Sequence, residues 1–205
     1  MIEKNQEFLD KFQVLLSKYY DSFSLKCSNE VKLGSLIIRT GKTLKNDEWM
    51  ESKLLDLSTM PNGSIFVNNF SDGSAFSTNI KTVNNFDLVY GSIRPYFKKA
   101  GFALDVNYIA GSVYSFKPEN EKYMLWLLAC ISSDSFHSFT SSSSQGTKMP
   151  IINWDTFTSF KLKLDDSTID DFNKKLLPVF EMCVNKMREN RKLKLIKQQL
   201  LDKYF

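Results

Sequence analysis

The side chains that could carry nucleophilic, acid–base or metal chemistry are few and scattered. The chain holds a single histidine, His137, lying between Phe136 and Phe139. A Ser-His-Asp triad or a multi-histidine metal centre would have to be built on that residue or do without one, and its aromatic neighbours suit packing better. Cys27, Cys130 and Cys183 lie far apart. An odd, dispersed set excludes a disulfide framework and a cysteine-rich zinc site, and implies a reducing, cytoplasmic setting. Two triplets, Glu30-Val31-Lys32 and Glu51-Ser52-Lys53, could join Asp21 or Asp47 as the carboxylates and lysine of a metal-dependent nuclease, in which the ion activates water. Such triplets recur by chance where 24% of residues are charged, so the nuclease is kept only as an alternative. No G-x-x-x-x-G-K-[ST] phosphate loop is present.

Basic and amide side chains offer more. The balance is 27 Lys+Arg against 23 Asp+Glu, a net charge of +4, which permits a nucleic-acid partner without demanding one. Lys42 and Lys45 follow the Gly41 turn, Arg94, Lys98 and Lys99 follow an apolar strand pattern, and Gln145, Gly146, Thr147 and Lys148 close a serine-rich stretch. Cations of this kind position a protein on phosphates. Gln145 can pair bidentately with adenine, and Arg39 is a second candidate base reader. Gly146 and the serines before it allow close approach of the backbone. Tyr96 and Phe97 fit core packing.

These groups must be positioned by a chain of 205 residues, 42% hydrophobic and 14% aromatic, enough for one domain with an extension. The longest apolar run, 124–131, is far short of the ~20 residues that span a bilayer, so no membrane partner is expected. The pattern predicts a helix over 3–20, with Phe8, Phe12, Leu15, Leu16 and Tyr19 on one face. Strands are expected at 31–39, 86–90, 110–116 and 157–164, a short helix at 121–131, and a serine-rich surface loop at 138–144. From residue 165 onward acids come first and bases last, which complements a helix macrodipole. Phe172, Leu176, Val179, Cys183 and Met187, then Leu193, Ile196 and Leu200, recur at spacings of 3 and 4, with a phase slip near Asn190. This predicts one long helix with a stripe for a partner helix, the alternative being packing on its own domain. Pro178 predicts a kink or a later start. The expected organisation is a helix at 1–24, a recognition domain with a mixed or antiparallel β core and short helices at 25–166, and a long helix at 167–205. The fold class is α+β.

Three phrases occur in order: 87–100, with Asp87, Gly91, Arg94, Pro95, Lys98 and Lys99; 144–153, with Gln145, Gly146, Thr147, Pro150 and Asn153; and 191–205, with Leu200, Leu201 and Phe205. Together they resemble the target-recognition module of type I restriction–modification specificity subunits, over residues 31–205. Residues 3–24 look like the tail of a preceding spacer helix. The family's Pro-Pro-Leu-x-Glu-Gln phrase at the spacer start is replaced by Asp165-Asp166-Ser167-Thr168.

The resemblance implies a non-catalytic, cytoplasmic subunit that reads double-stranded DNA and directs methyltransferase and restriction subunits. S-adenosylmethionine would belong to the methyltransferase partner, not to this chain. The family carries two recognition domains and two spacers, whereas this sequence has room for one of each. The resemblance therefore implies a half-subunit whose long helix pairs with a second copy through the stripe named above, or one that swaps into a longer specificity subunit.

Overall fold

The computed structural model describes residues 1–44, 49–77 and 79–204. In chain order the elements are α1 (Ile2–Ser24), β1 (Glu30–Lys32), β2 (Ile37–Arg39), β3 (Lys53–Leu55), β4 (Ser71–Asp72), β5 (Ile80–Thr82), β6 (Leu88–Gly91), β7 (Ala100–Phe102), β8 (Tyr108–Ala110), β9 (Val113–Pro118), α2 (Met124–Ile131), α3 (Asp134–Ser142), α4 (Trp154–Thr158), β10 (Lys161–Lys163) and α5 (Asp166–Tyr204). The class is α+β, with one long helix at the C-terminal side, as the sequence predicts.

The central sheet is antiparallel, in the order β2-β9-β6-β7. Successive side chains on a strand point to opposite faces. Leu88, Tyr90, Phe102 and Phe116 accordingly join the core shared with the helices, while Val89, Ala103 and Val113 join a second core against the neighbouring sheet. Both faces are covered, so β6 reads as a continuous apolar run rather than an alternation. The neighbouring sheet, β4-β3-β8-β5, is mixed, with β3 and β8 parallel. A third pairing, β1 with β10, ties the chain leaving α1 to the chain entering α5. There the Asp165 carboxylate accepts the Ser28 N–H at 2.7 Å.

The two long helices run antiparallel. Phe23 meets Phe172 and Phe12 meets Phe180, with ring centroids 5.9 and 6.1 Å apart. At the far end Asn5 Nδ2 donates to Asn190 Oδ1 at 2.9 Å. The buried face of α1 is Leu9, Phe12, Leu16, Tyr20 and Phe23, at spacings of 3, 4, 4 and 3. It is rotated slightly from the predicted one, leaving Leu15 at the surface. Phe172, Leu176, Cys183 and Met187 are buried and Val179 is half-buried against this helix and its neighbours. The first five stripe positions are therefore corrected: α1 covers them, and they are not open to a partner. The phase slip at Asn190 has the same cause, because α1 begins there and its cover ends.

Further corrections concern local structure. The helix starts at Asp166 and continues through Pro178, with no late start. The stretch 138–144 belongs largely to α3, whose cap is Ser133 Oγ, accepting the Phe136 N–H, and whose inner face is Phe136, His137 and Thr140. The strand expected at 157–164 is confined to β10, because Asn153 caps a short helix, α4, ahead of it. The strand expected at 31–39 is broken into β1 and β2 by a 3-10 turn at Leu33–Ser35.

His137 is buried, with Nδ1 3.3 Å from the Tyr90 hydroxyl, which lies 2.7 Å from Thr140 Oγ1. Burial and then the Lys98 charge push its pKa down to about 4. The unfolded chain therefore binds a proton near pH 6.5 that the folded chain refuses until about pH 4. Stability is complete above that upper value and falls with acidification through the window. At pH 5 the loss should be about 2 kcal/mol, measured by urea unfolding against pH 7.5. His137→Gln should flatten the profile between pH 7.5 and 5. An unchanged profile would show that the loss arises elsewhere.

Candidate nucleic-acid interface

Strand register sets what gathers at each end of the central sheet. Gly91 lies opposite Val113, Tyr90 opposite Ala100, and Arg39 opposite Phe116. The end of β6, the start of β7 and the start of β9 therefore share one edge, whereas Arg39 on β2, opposite Phe116, stands level with Leu88, and the chain after it runs on towards that edge. Three connections leave or enter there: 40–43, 92–99 and 111–112. The opposite edge carries Phe102, whose ring is 5.1 Å from that of Phe180 on α5. The long helix thus packs at the Phe102 end of the sheet.

The segment 92–99 is stapled to the segment 144–152 at the Gly91–Val113 end. Arg94 N–H donates to Pro150 O at 2.7 Å and Ile152 N–H to Ser92 O at 3.0 Å, while Gln145 and Ile151 exchange two bonds of 2.9 Å. Arg94 and Lys98 flank the turn Pro95–Phe97 in left-handed conformations, φ 51° and 53°. Such backbones are costly for side-chain-bearing residues and cluster at functional loops. Gly146 has φ +101°, and an added Cβ would lie 3.2 Å from Met149 O. The loop needs glycine for its backbone and gains an exposed peptide surface with it.

Gln145, Gly146, Thr147 and Lys148 are exposed beside this staple. Arg94 is half-buried, and its Nε has no hydrogen-bond partner among the described residues. Lys98 is exposed and pairs with Asp134 at 2.6 Å, so phosphate contact there competes with an existing partner. Lys99 is corrected: it is half-buried and donates to Leu57 O, and burial pushes its pKa down. It serves the second sheet rather than the surface. Lys42 is exposed after Gly41, tied to β5 through its N–H to Thr82 Oγ1 at 3.0 Å. Lys45 lies outside the described residues.

The surface also contains residues that the sequence reading placed elsewhere. Tyr96 and Phe97 are 51% and 38% exposed rather than core, and Met149 and Ile151 are exposed beside the same staple. The Arg39 guanidinium lies over the Trp154 ring at 4.8 Å and the Tyr114 ring at 5.4 Å. Tyr114 in turn donates to Ile152 O at 2.7 Å. The available signal was the run Tyr96-Phe97-Lys98-Lys99, aromatic beside basic, which suits stacking and phosphate contact as well as a core.

The carboxylates of the nuclease alternative are not gathered among the described residues. Glu30 pairs with Lys161 at 2.8 Å, and among the described residues no group of three His, Cys, Asp or Glu could hold a metal ion. Asp47 of the nuclease alternative lies outside the described residues. Cys27, Cys130 and Cys183 are buried and unpaired, and burial pushes the thiols of Cys130 and Cys183 up to about 12. Among the described residues no helix is long and apolar enough to cross a membrane.

No protein-family model and no curated protein matches the sequence. Solved structures do match. The type I restriction-modification system S subunit from M. genitalium aligns with a TM-score of 0.56 at 15% identity, over 100% of this chain and 57% of that one. The HsdS subunit from Thermoanaerobacter tengcongensis aligns with a TM-score of 0.53 at 14% identity, over 98% of this chain and 52% of that one. The chain thus spans just over half the length of either. At such identities the likeness is one of fold: this chain has the α+β domain and long helix found in those S subunits.

Proposed function

We propose that the chain is a non-catalytic DNA-recognition unit of a type I restriction–modification system, one half of a specificity subunit that directs methyltransferase and restriction subunits to a site. One observation carries this reading. Arg94, Gln145 and Lys148 come from distant parts of the sequence, yet the segments that carry them are hydrogen-bonded together at the Gly91–Val113 end of the sheet, with Arg39 braced nearby on Tyr114 and Trp154. A basic edge with an adaptable amide loop is the equipment of sequence reading, in which phosphate contacts set the register and base-edge contacts specify. The likeness of fold to two S subunits agrees with it. S-adenosylmethionine and the methyl transfer would belong to the methyltransferase subunit, and the bare end of α5 would meet the second half.

Selection of bound duplexes from a random pool, by the chain with its methyltransferase subunit, tests the reading. Enrichment of one sequence is expected, and recovery of the unselected pool would defeat it. Within that system Lys148→Gln should reduce the salt dependence of binding by about one phosphate contact and weaken all sequences alike. Gln145→Ala should leave the salt dependence unchanged and relax discrimination at one position by about 1–3 kcal/mol. Salt titrations on the selected and a scrambled duplex separate the two. An effect of Lys148→Gln confined to the selected sequence would refute its assignment to the backbone.

A further inference from the structure

The hairpin that carries Gln145 holds an aliphatic side chain directly opposite it. Gln145 and Ile151 form an antiparallel bridge and exchange both backbone hydrogen bonds, at 2.9 Å each. Residues opposed in this way project to one face, with Cβ atoms about 4.5–5.5 Å apart. On its other side Ile151 is bridged to Ile93, between the bonds Arg94 N–H to Pro150 O and Ile152 N–H to Ser92 O. Ile93, Ile151 and Gln145 thus form one row across three segments. The next residue, Ile152, points to the opposite face. It is fully buried, and its carbonyl accepts the Tyr114 hydroxyl at 2.7 Å. A slip of one residue would bring Ile152 to the surface, so the face that Ile151 occupies is fixed. On that face Ile151 is 43% exposed and Gln145 is exposed beside it. An aliphatic group is therefore held in water next to an amide, on a backbone pinned from both sides.

Base edges in the major groove offer one apolar group, the C5-methyl of thymine, while the N7 acceptor and N6 donors of adenine suit a glutamine amide. An A·T pair presents both in the same groove. We propose that Ile151 is a specificity-determining residue that packs against a thymine methyl, in the base pair whose adenine Gln145 holds or in the pair next to it. The inference rests on the DNA-reading function above and deepens it, from a single amide contact to a two-residue reader of A·T sequence. The bridge sets the two side chains at a fixed spacing before DNA arrives, so little ordering of the backbone opposes binding. A cytosine in place of the thymine would turn an amino donor and a C–H toward the isoleucine, and neither rewards the contact.

The test uses the full chain with its methyltransferase subunit and the duplex enriched by the selection above. Each thymine is replaced in turn by deoxyuridine, which removes only the methyl group, and binding is followed by fluorescence anisotropy, with urea unfolding of each variant in parallel. One replacement, at or beside the pair whose discrimination depends on Gln145, should weaken binding roughly fourfold, the worth of one buried carbon. Ile151→Ala should weaken binding to the unmodified duplex by about the same factor and make that replacement silent, with no change in salt dependence because no phosphate contact is lost. Ile151→Val should keep the response to deoxyuridine. If no thymine methyl matters, or if the deoxyuridine penalty persists in Ile151→Ala, the assignment is overturned while DNA reading stands. Equal weakening of the selected and a scrambled duplex by Ile151→Ala, with a lowered urea midpoint, would make the residue structural and would also overturn it. So would weaker uptake of the methyltransferase subunit with base preference unaltered, which would give this side chain to a protein partner. If the selection enriches no sequence, the functional reading and the assignment fall together.

Discussion

Phe172→Ala should cost about 3–5 kcal/mol of stability, the range for removing a fully buried aromatic side chain. Phe172 has no exposed surface, and its ring meets Trp126 at 5.0 Å and Phe23 at 5.9 Å. Those contacts join α5 to α2 and α1, so the cavity would open where three helices meet. Against a total of about 5–15 kcal/mol for a typical domain, the loss approaches unfolding. Urea denaturation checks it, with Ile196→Ala as the contrast. Ile196 is 52% exposed, and its truncation should stay within about 0.5 kcal/mol. Both residues belong to one sequence stripe, and they part company because α1 covers the first and not the second. A Phe172→Ala variant of unaltered stability but altered self-association would show that this position belongs to an interface after all.

The sequence exposes what is periodic and hides what is assembled. The apolar run of β6, the amphipathic face of α1 and the acid-to-base gradient of α5 are local patterns, and each led to the right element. The ambiguity lay in partners. A stripe at spacings of 3 and 4 states that a helix has an apolar face, not whether the cover comes from the same chain. Here the answer changes at Asn190. Serine-rich 138–144 resembled a loop because serine competes with helical hydrogen bonds, yet Ser133 caps the segment and Phe136 anchors it. The resemblance of three ordered phrases located the 92–99 and 144–152 segments. It did not place Thr43 opposite Lys81, since that pairing depends on a turn at Gly41 and on the chain leaving β2 reaching β5. Nor could it show that Lys99 turns inward to Leu57 while Lys98 stays outside.

The pair Ile196→Asp and Leu200→Asp should abolish self-association through α5 while leaving the fold intact. Beyond Asn190 the helix continues to Tyr204 without α1 beside it, a length of about 20 Å at 1.5 Å per residue. Ile196 and Leu200 are each 52% exposed on this stretch, with Leu193, Leu201 and Tyr204 around them. An amphipathic helix extended into water gains by covering such a stripe. Each buried aliphatic side chain contributes about 1.5–3 kcal/mol, so removing two from each copy weakens a symmetric pair by at least about 6 kcal/mol, or more than 10⁴-fold. Charge adds a sign to the prediction. Arg191 is paired with Asp105 at 3.2 Å, but beyond it Lys192, Lys194, Lys197 and Lys203 face a single acid, Asp202. Two such segments repel, so salt should strengthen their association, whereas it weakens DNA binding. Sedimentation velocity over a salt series reads both effects: a dimer favoured by salt for the unsubstituted chain, and a monomer throughout for the double variant. A double variant that still dimerises would place the interface elsewhere. An unsubstituted chain that stays monomeric at all salt concentrations would mean that this stripe does not pair two copies of the chain.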